Sequence, residues 1–454
     1  MKKVMVIASE FPPRGVGNIL RTVKLVKHLP SFGWKPYVLT ISERCIEKFD
    51  HSYDHEIPKE VCVIRVFYPN PFVLIDRRWY RKVGYRGLEV VSEGKGNNRK
   101  ERAFLKFVIK KRIFSIVRFI RKKLFIPGES ILWLPFAVTK GLWVCVKEKI
   151  DVLYSTAPSY TNHLVGLVLK LLTGKGWMAD YRDLWTGCPT RRLSPGFRKR
   201  IEEWMDAMVL KKADAVNIVS PKWREFLLKR FPFLSPEKVT CYTNGYDPED
   251  YEGIPEVKRL DSKWRITYAG SVLRGYPTPL FLRAIGELCN EIPGMREEVE
   301  VNFYGDIRDE QLIQINKVIE EFSLKKNVLV NGRITRQRAL EVMRNSNLLL
   351  LMYIEGELNE DGCIPAKLFE YIGAQRPIFA IVPKDGSAAE IIQLGNMGHV
   401  VSPSSYDEIK NSLRSLYLQY KDGGNIYKPN YSYLRQFERK YIVNKLAEIF
   451  DMLR

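Results

Sequence analysis

Near the start of the chain lies the stretch VMVIASEFPPRGVGNILRTVKLVKHLPSFGWKPYVLTI, residues 4–41, whose pattern recurs along the whole sequence. VMVIA is an apolar run of strand length, and the loop SEFPPRGVGN that follows contains prolines and glycines. From Ile19 to Leu29 apolar side chains recur at helical spacing, and PYVLTIS then predicts a second strand. This order of strand, glycine loop, helix and strand is typical of a parallel α/β sheet.

The same alternation continues in two series. VCVIRVF, DVLYSTAP, GWMADYRD, ADAVNIVSP and KVTCYTNG predict strands of the first series, and WRITYAGS, VEVNFYGD, VLVNGRI, LLLLMYI and PIFAIVP predict those of the second. The stretch YDPEDYEGIPEVKRLDSK between them has no hydrophobic period and is typical of a linker. We therefore predict an α/β protein of two doubly wound, Rossmann-like domains that face a cleft. The domains are 1–247 and 264–430, joined by a linker at 248–263, with a C-terminal helix at 431–454 that packs near the hinge.

The composition excludes several classes of protein. The chain has 454 residues, 45% apolar and 28% charged, and no uninterrupted apolar run reaches the ~18 residues of a membrane-spanning helix. Seven cysteines without a CxxC pair indicate neither a disulfide framework nor a zinc knuckle. The apolar run after Lys2 and Lys3 is too short for a signal peptide, so we expect a cytoplasmic protein.

The net charge of +21 is confined to the first part of the chain. Residues 1–200 hold 39 Lys and Arg against 16 Asp and Glu, which is +23, whereas residues 201–454 hold 34 against 36, which is −2. A nucleic acid, an anionic membrane surface or an anionic substrate would each explain such a field. The charge alone leaves these three partners open.

The first loop carries Gly15 and Gly17 between a strand and a helix. Glycines there let an anionic ligand approach the backbone amides at the helix start, and a tight turn with positive φ is the alternative. The spacing is not GxGxxG, and the second strand ends LTISER, without the acidic residue that holds a nicotinamide ribose. These two departures disfavour a dehydrogenase.

A second loop-to-helix stretch, GCIPAKLFEYIGAQRPIFAIV from Gly362, is more specific. Pro365 suits the first turn of a helix, so the amides of Ala366 and Lys367, together with the Lys367 ammonium, can hold a phosphate. Glu370 follows about one turn later, where a carboxylate accepts hydrogen bonds from the two hydroxyls of a ribose. The stretch predicts a nucleotide-binding element, and the alternative is an amphipathic helix whose charges are solvated.

Six segments together resemble the retaining, nucleotide-sugar-dependent enzymes of glycosyltransferase family 4, which have the two-domain GT-B fold. They are EFPPRGVGN from Glu10, STAPSYTNHLVGL from Ser155, MADYRDLWTG from Met178, TNGYD from Thr243, YAGSVLRG from Tyr268 and IPAKLFEYIGAQRPI from Ile364. The resemblance covers nearly the whole chain and is greatest to the subgroup that builds bacterial surface polysaccharides. It implies a hexosyl- or N-acetylhexosaminyltransferase, with an N-terminal domain that faces acceptor and membrane and a C-terminal domain that binds the nucleotide-sugar.

The resemblance also implies roles for single residues. Glu370 would bind the ribose of the donor, and Lys367 would bind the diphosphate. Arg274 would be a catalytic residue that binds the leaving phosphate, and the alternative for Arg274 is a solvated cation in a loop. The family's second glutamate is replaced here by glycine, and Asp361 beside it is the candidate substitute. The glycines of the first loop would be further donor contacts. Transfer with retention, no enzyme nucleophile, and no metal or other cofactor are implied.

Across the cleft, Asp180, Arg182 and Asp183 stand at the carboxyl end of a strand, the edge where open α/β sheets bind ligands. All three are candidates for contact with the donor sugar or the acceptor hydroxyl, and Arg182 and Asp183 are candidate catalytic residues. The alternative is a salt bridge that closes the loop. His163 would cap a helix start or reach the cleft. Asn244, beside the hinge, is a cleft candidate or a structural turn.

The positive charge of the first domain is densest in RAFLKFVIKKRIFSIVRFIRKKLF, residues 102–125, which holds nine Lys and Arg and no Asp or Glu. At helical spacing one side is aliphatic and the other mixes phenylalanines with cations, which suits an anionic bilayer surface. The membrane-contact candidates are Phe104, Phe107, Lys111, Phe114, Arg118 and Lys122. A helix buried on two sides is the alternative.

We therefore expect a peripheral enzyme at the cytoplasmic face of the membrane that transfers a sugar from a nucleotide diphosphate-sugar to a polyprenyl-diphosphate-linked saccharide. Another GT-B enzyme, such as a sugar-nucleotide epimerase or a soluble small-molecule glycosyltransferase, is the alternative within enzymes. A basic nucleic-acid-binding protein is the alternative of another class, although no helix-turn-helix, zinc-finger or RNP motif occurs.

Overall fold

The computed structural model describes residues 1–14, 19–46, 49–70, 72–73, 121, 124–189, 191, 193–255, 262–356, 359–424 and 427–454. Within them the strands form two parallel sheets, of seven and six strands, with helices between the strands. The prediction of two doubly wound α/β domains is confirmed.

The first lobe is built on a sheet with the strand order β3-β2-β1-β4-β5-β6-β7. Its strands are β1 Lys2–Ile7, β2 Trp34–Ile41, β3 Cys62–Val66, β4 Val152–Thr156, β5 Gly176–Tyr181, β6 Ala215–Ile218 and β7 Val239–Cys241. Its described helices are α1 Leu20–His28, α2 Leu134–Lys147, α3 Thr161–Thr173, α4 Phe197–Lys212 and α5 Pro221–Arg230. Helix α1 covers one face of the sheet, and α2 to α5 cover the other.

The second lobe has the strand order β10-β9-β8-β11-β12-β13. Its strands are β8 Trp264–Ala269, β9 Val299–Tyr304, β10 Val328–Gly332, β11 Leu348–Met352, β12 Ile378–Ile381 and β13 Gly398–Val401. The helices that follow in chain order are α6 Thr278–Glu291, α7 Met295–Glu298, α8 Asp309–Glu321, α9 Arg336–Arg344, α10 Lys367–Ala374, α11 Ser387–Leu394, α12 Tyr406–Lys421, α13 Tyr431–Leu434 and α14 Arg439–Leu453.

Alternate residues of the central strands face opposite helix layers. In β1, Val4 and Val6 pack in the layer of α1, whereas Met5 and Ile7 pack in the layer of α2 and α3. Because helices cover both faces of a parallel sheet, both sets of side chains must be apolar. This accounts for the continuous apolar runs by which the strands could be predicted.

The C-terminal helix belongs to the first lobe. The chain leaves that lobe through a 3-10 turn at Pro248–Tyr251, within the predicted linker, and α14 later returns to it. The ring of Phe450 in α14 packs edge-on against Trp34 and Tyr154, with centroids 5.5 and 5.7 Å apart. The helix predicted to pack near the hinge is therefore part of the layer that contains α1.

A buried ion pair joins α1 to the centre of the first sheet. Two guanidinium nitrogens of Arg21 donate to the Asp180 carboxylate at 2.8 and 2.9 Å. The same carboxylate accepts hydrogen bonds from the hydroxyls of Tyr154 and Thr156 and from the amide of Asn217. Burial alone would raise the pKa of Asp180, but Arg21 and these donors lower it to about 2.

Within the part of the chain that the structure describes, one helical segment, Glu129–Lys147, is long and apolar enough to cross a membrane, by length and composition alone. Only 28% of its most apolar part is buried. Ala137 and Gly141 of this segment are buried in the lobe. The segment is not an uninterrupted apolar run, because Lys140 lies within it.

Replacing Asp180 with Asn is expected to lower the free energy of unfolding of the first lobe by about 3–5 kcal/mol, because Arg21 loses its buried counter-charge. Urea unfolding followed by tryptophan fluorescence measures the loss. As a control, replacing the exposed pair Arg338 and Glu341 with Gln should cost less than about 1 kcal/mol. An Asp180→Asn variant as stable as the parent would contradict the structural role of the pair.

Candidate active site

The carboxyl ends of the two sheets face a cleft, and the lobes touch beside it. The indole N–H of Trp223, in α5, donates to the Asn359 carbonyl oxygen at 2.9 Å, and the Asn359 amide donates to the Gly187 carbonyl oxygen at 2.8 Å. Asp361 forms an ion pair with Lys222 at 3.4 Å. Asp361, predicted to substitute for a glutamate, therefore lies in the contact between the lobes.

Helix α10 begins at Lys367, two residues after Pro365, without a side-chain cap. Among the described residues, the amides of Ala366 and Lys367 have no acceptor, so both donors are available at the positive end of the helix. The Lys367 ammonium nitrogen lies 3.9 Å from the centroid of the Tyr268 ring. Burial lowers the pKa of Lys367 to about 7, although Glu370 raises it. These donors make the start of α10 a candidate anion-binding site.

Bare backbone at the ends of β8 and β9 lies next to this anion site. Gly270 has a φ of +140° and Gly305 a φ of +128°, a region that side chains rarely adopt. A Cβ on Gly270 would lie 2.9 Å from the Lys367 ammonium nitrogen, and a Cβ on Gly305 would lie 2.4 Å from the Gly270 carbonyl oxygen. Gly270 therefore leaves room for the lysine, and Gly305 leaves room for the backbone of Gly270.

Glu370, in the first turn of α10, is half-exposed. Arg336 at the start of α9 donates to one of its carboxylate oxygens at 3.1 Å and also pairs with Asp250 of the linker. Burial would lower the pKa of Arg336, but Glu370 and Asp250 raise it above its ordinary value. A cavity of about 930 Å³ opens beside Arg336. The second carboxylate oxygen of Glu370 has no partner among the described residues, which leaves it available to a ligand.

The carboxylates of Glu56, Asp247 and Asp250 lie close enough together to hold a metal ion. Lys24 of α1 is fully buried, and its ammonium group contacts all three carboxylates. His28 Nε2 lies 2.9 Å from the Asp247 carboxylate. A lysine charge therefore takes the central position in this group, which is an internal ion cluster at the hinge.

Arg274 lies in the loop after β8, and its side chain is 86% exposed. Its Nε is 3.4 Å from a carboxylate oxygen of Glu310, in α8. Together with Tyr276, Arg308 and Tyr353 it lines a cavity of about 470 Å³. A solvated ion pair of this kind holds a side chain weakly, so Arg274 can turn toward a ligand in the cleft.

In the first lobe, the loop after β5 carries Arg182 and Asp183. Asp183 lines a cavity of about 260 Å³ together with Tyr160, Cys188 and Arg191. Burial raises the pKa of Asp183, and the neighbouring Arg182 opposes this shift. The cavity lies at the carboxyl edge of the first sheet, on the opposite side of the cleft from α10.

The other candidates of the first lobe are structural or half-buried. Asp180 is fully buried in its ion pair, as in the salt-bridge alternative. His163 is fully buried, lies 2.8 Å from Ser155 Oγ and stacks on Tyr181, and burial lowers its pKa to about 3. Neither side chain has a surface for a ligand, which corrects their prediction as cleft residues. Asn244 is half-buried in the turn after β7.

Several predicted residues lie outside the described part of the chain. They are Gly15 and Gly17 of the first loop and the membrane-contact candidates Phe104, Phe107, Lys111, Phe114, Arg118 and Lys122. Conversely, sequence reasoning misses Arg336 and Lys24, because each meets its carboxylates only through the tertiary fold. The one available signal for Arg336 is the polar turn NGRITR that ends β10 and leads into α9.

Solved structures with the same two-lobed fold resemble the chain at low sequence identity. Sucrose-phosphate synthase from Thermosynechococcus elongatus has a TM-score of 0.65 at 13% identity, over 100% of this chain and 99% of that chain. HepE from Anabaena, in complex with UDP and glucose, has a TM-score of 0.64 at 12% identity over 100% of both chains. The chain has the GT-B fold.

WaaG, a glycosyltransferase involved in lipopolysaccharide biosynthesis, has a TM-score of 0.54 at 13% identity over 99% of both chains. No family model and no curated protein matches the sequence. In GT-B terms, the candidate anion site at Lys367 and the carboxylate of Glu370 lie in the C-terminal half of the cleft, and Asp183 lies in the N-terminal half.

Lys367 is expected to lose its proton near pH 7 in the free protein, because burial disfavours its charged form. An amine-specific label, applied over a pH series and read by mass spectrometry of the Lys367 peptide, measures the midpoint. Replacing Glu370 with Gln should shift this midpoint to lower pH, because the carboxylate favours the ammonium form. The exposed Lys326 is an internal reference for label reactivity. A midpoint no lower than that of an unstructured lysine would contradict the desolvated anion site.

Proposed function

We propose that the protein is a retaining glycosyltransferase that moves a hexosyl or N-acetylhexosaminyl group from a nucleotide diphosphate-sugar to a lipid-linked saccharide. The proposal rests on the geometry at the start of α10, where Lys367 and two available amides lie one helical turn from Glu370. A helical turn advances about 5 Å, comparable with the separation of diphosphate and ribose in one nucleotide. The solved HepE complex, which has the same fold, contains UDP and glucose.

In this proposal the donor lies along the start of α10. Its diphosphate accepts hydrogen bonds from the amides of Ala366 and Lys367, and its charge raises the pKa of Lys367, so that binding takes up a proton near neutral pH. Glu370 accepts hydrogen bonds from the ribose hydroxyls. Arg336 donates a hydrogen bond to one oxygen of Glu370 and so orients the carboxylate.

The proposed transfer breaks the bond between the anomeric carbon and the diphosphate oxygen. The oxygen of the acceptor hydroxyl bonds to the anomeric carbon on the same face, and its proton passes to the departing phosphate oxygen. Arg274 and Lys367 stabilise the negative charge that grows on the diphosphate. The proposal involves neither an enzyme nucleophile nor a metal or other cofactor.

The acceptor is proposed to bind the first lobe, near the cavity of about 260 Å³ that Asp183 lines. There Arg182 and Asp183 would contact the acceptor hydroxyl or the donor sugar. The +23 excess in residues 1–200 supports an acceptor linked through a polyprenyl diphosphate and a peripheral position at the anionic cytoplasmic face of the membrane. WaaG, which has the same fold, acts in lipopolysaccharide biosynthesis.

A thermal-shift screen with nucleotide diphosphate-sugars identifies the donor, and Glu370→Ala then tests the site. The variant should bind that donor about ten-fold to a hundred-fold more weakly by calorimetry, because a charged hydrogen bond to the ribose is lost. The exposed Glu320, in α8, provides the matched control variant Glu320→Ala, with parental affinity. Unchanged affinity in Glu370→Ala would refute the ribose contact. Tight, salt-dependent binding of nucleic acid without donor affinity would favour the non-enzymatic alternative.

Arg274→Ala should lower kcat about ten-fold to a thousand-fold while the KM for the donor changes less, because the guanidinium meets charge that develops only as the diphosphate leaves. Nucleotide release in the presence of a lipid-linked acceptor measures the rate. The exposed Arg338 provides the control variant Arg338→Ala, with parental kinetics. A parental kcat in Arg274→Ala would show that Arg274 does not act in catalysis. Nucleotide release or sugar epimerisation without an acceptor would indicate another GT-B activity.

A further inference from the structure

Helix α2 exposes large apolar side chains on its outer side. Ala137 and Gly141 are buried in the lobe. Trp143 is 49% exposed and Val146 is 72% exposed. Phe136, one heptad before Trp143, is exposed on the same side, because residues seven apart share a helix face. Helix α2 thus buries Ala137, Gly141, Val144 and Cys145 in the core and also carries large apolar residues on its outer side, where an ordinary surface helix is polar.

Two lysines flank the exposed tryptophan of α2. The ammonium nitrogens of Lys140 and Lys147 lie 3.8 and 4.5 Å from the centroid of the Trp143 ring. No Asp or Glu occurs from residue 130 to residue 147. The outer side of α2 is therefore a stripe of apolar and cationic groups without an anion.

Helix α4 also exposes aromatic and basic side chains, beside the half-buried Glu203, which pairs with Arg230. Phe197 is 77% and Trp204 is 63% exposed, and Arg200 between them is exposed as well. Buried residues of α2, α3 and α4 share one core layer, with α3 in contact with both neighbours, so α2 and α4 face outward on the same side of the lobe. The aromatic–basic face is defined by these exposed residues: Phe136, Lys140, Trp143, Val146 and Lys147 of α2, with Phe197, Arg200 and Trp204 of α4.

We propose that the aromatic–basic face rests on the surface of an anionic lipid bilayer. Aromatic rings enter the boundary between headgroups and acyl chains, where tryptophan is enriched, and the cations meet lipid phosphates. A protein partner fits less well, because lysine is depleted in protein interfaces. A second copy of the chain would set cations against cations. Because Ala137 and Gly141 hold α2 in the lobe, the helix lies on the bilayer and does not cross it.

This inference deepens the proposed function, on which its biological meaning rests, and assigns the membrane contact to residues outside 102–125. Helices α2 and α4 each follow a strand of the parallel sheet, so their N-terminal ends lie at the carboxyl edge, where the cleft opens. A lobe that lies on the bilayer by these helices presents the cleft beside the membrane, within reach of an acceptor whose lipid stays in the bilayer.

Co-sedimentation with vesicles of phosphatidylglycerol and phosphatidylcholine tests the face. The variant Lys140→Gln/Trp143→Ser/Lys147→Gln is expected to lose about ten-fold or more in partition coefficient, because each cation near an anionic surface adds to binding. A matched control removes two exposed lysines and one exposed apolar side chain of the second lobe and should bind as the parent does: Ile313→Ser/Lys317→Gln/Lys326→Gln. Binding of the parent should weaken with salt and on pure phosphatidylcholine.

A second measurement does not depend on multiple substitutions. Brominated acyl chains should quench the fluorescence of the parent, and most of this quenching should be lost in Trp143→Phe/Trp204→Phe, which keeps both aromatic rings and should still bind vesicles. Equal quenching in the parent and in Trp143→Phe/Trp204→Phe would overturn the proposal. Circular dichroism and the melting temperature establish that each variant is folded.

The other outcomes separate this proposal from the proposed function. Parental vesicle binding by the α2 variant, or an equal loss in the second-lobe control, would overturn the aromatic–basic face. If only Lys111→Gln/Arg118→Gln/Lys122→Gln loses binding, the contact lies in residues 102–125 and the face is overturned, while the transferase proposal stands. Vesicle binding as expected, without any transferase activity of the parent, would refute the proposed function and support the face. The α2 variant should keep parental turnover on a short, detergent-soluble acceptor.

Discussion

The position of the cleft depends on the burial of two cations of α1. Arg21 binds Asp180 in the centre of the first sheet and also donates to the carbonyl oxygens of Tyr242 and Thr243, where β7 ends. One turn later Lys24 pairs with Asp250 in the linker that leads to the second lobe. A buried charge tolerates little displacement from its partner, because separation leaves it uncompensated. One helix therefore aligns the first sheet, its last strand and the start of the linker.

The cations of the second lobe are held in opposite ways. Arg336 lies between two carboxylates, which favour its charged form, whereas burial lowers the pKa of Lys367 to about 7. A lysine whose pKa is lower in the folded than in the unfolded protein destabilises the fold. This destabilisation begins as the pH falls below the pKa of the unfolded state and is complete below the pKa of the folded state. At neutral pH the fold therefore carries this cost, and an anion at the start of α10 reduces it. The buried charge of Lys367 therefore destabilises the free protein and favours the binding of an anion.

The fold could be predicted because strands covered on both faces are continuous apolar runs, and such runs are visible locally. The spacing of Lys367 and Glu370 is visible in the sequence as well, because both residues lie in one helix. Asp180 and Asp183 show the limit. They are three residues apart at the end of β5, yet Asp180 is fully buried against Arg21, 159 residues away in the chain, whereas Asp183 lines a cavity. Tertiary contacts decide which polar side chain is structural, and Arg336 was missed for the same reason.

The distribution of charge distinguishes a small anionic ligand from an extended anionic surface. The candidate donor site lies in the part of the chain with a net charge of −2, where a single desolvated lysine and two helix amides provide the attraction. Binding of a small anion thus requires local geometry and little net charge. In the first lobe the buried cations Arg21 and Lys24 already have carboxylate partners. Helix α2 adds Lys140 and Lys147 to the +23 excess, and both lie on its outer side next to the exposed ring of Trp143. Cations placed in this way attract an extended anionic surface and do not enclose a small ligand.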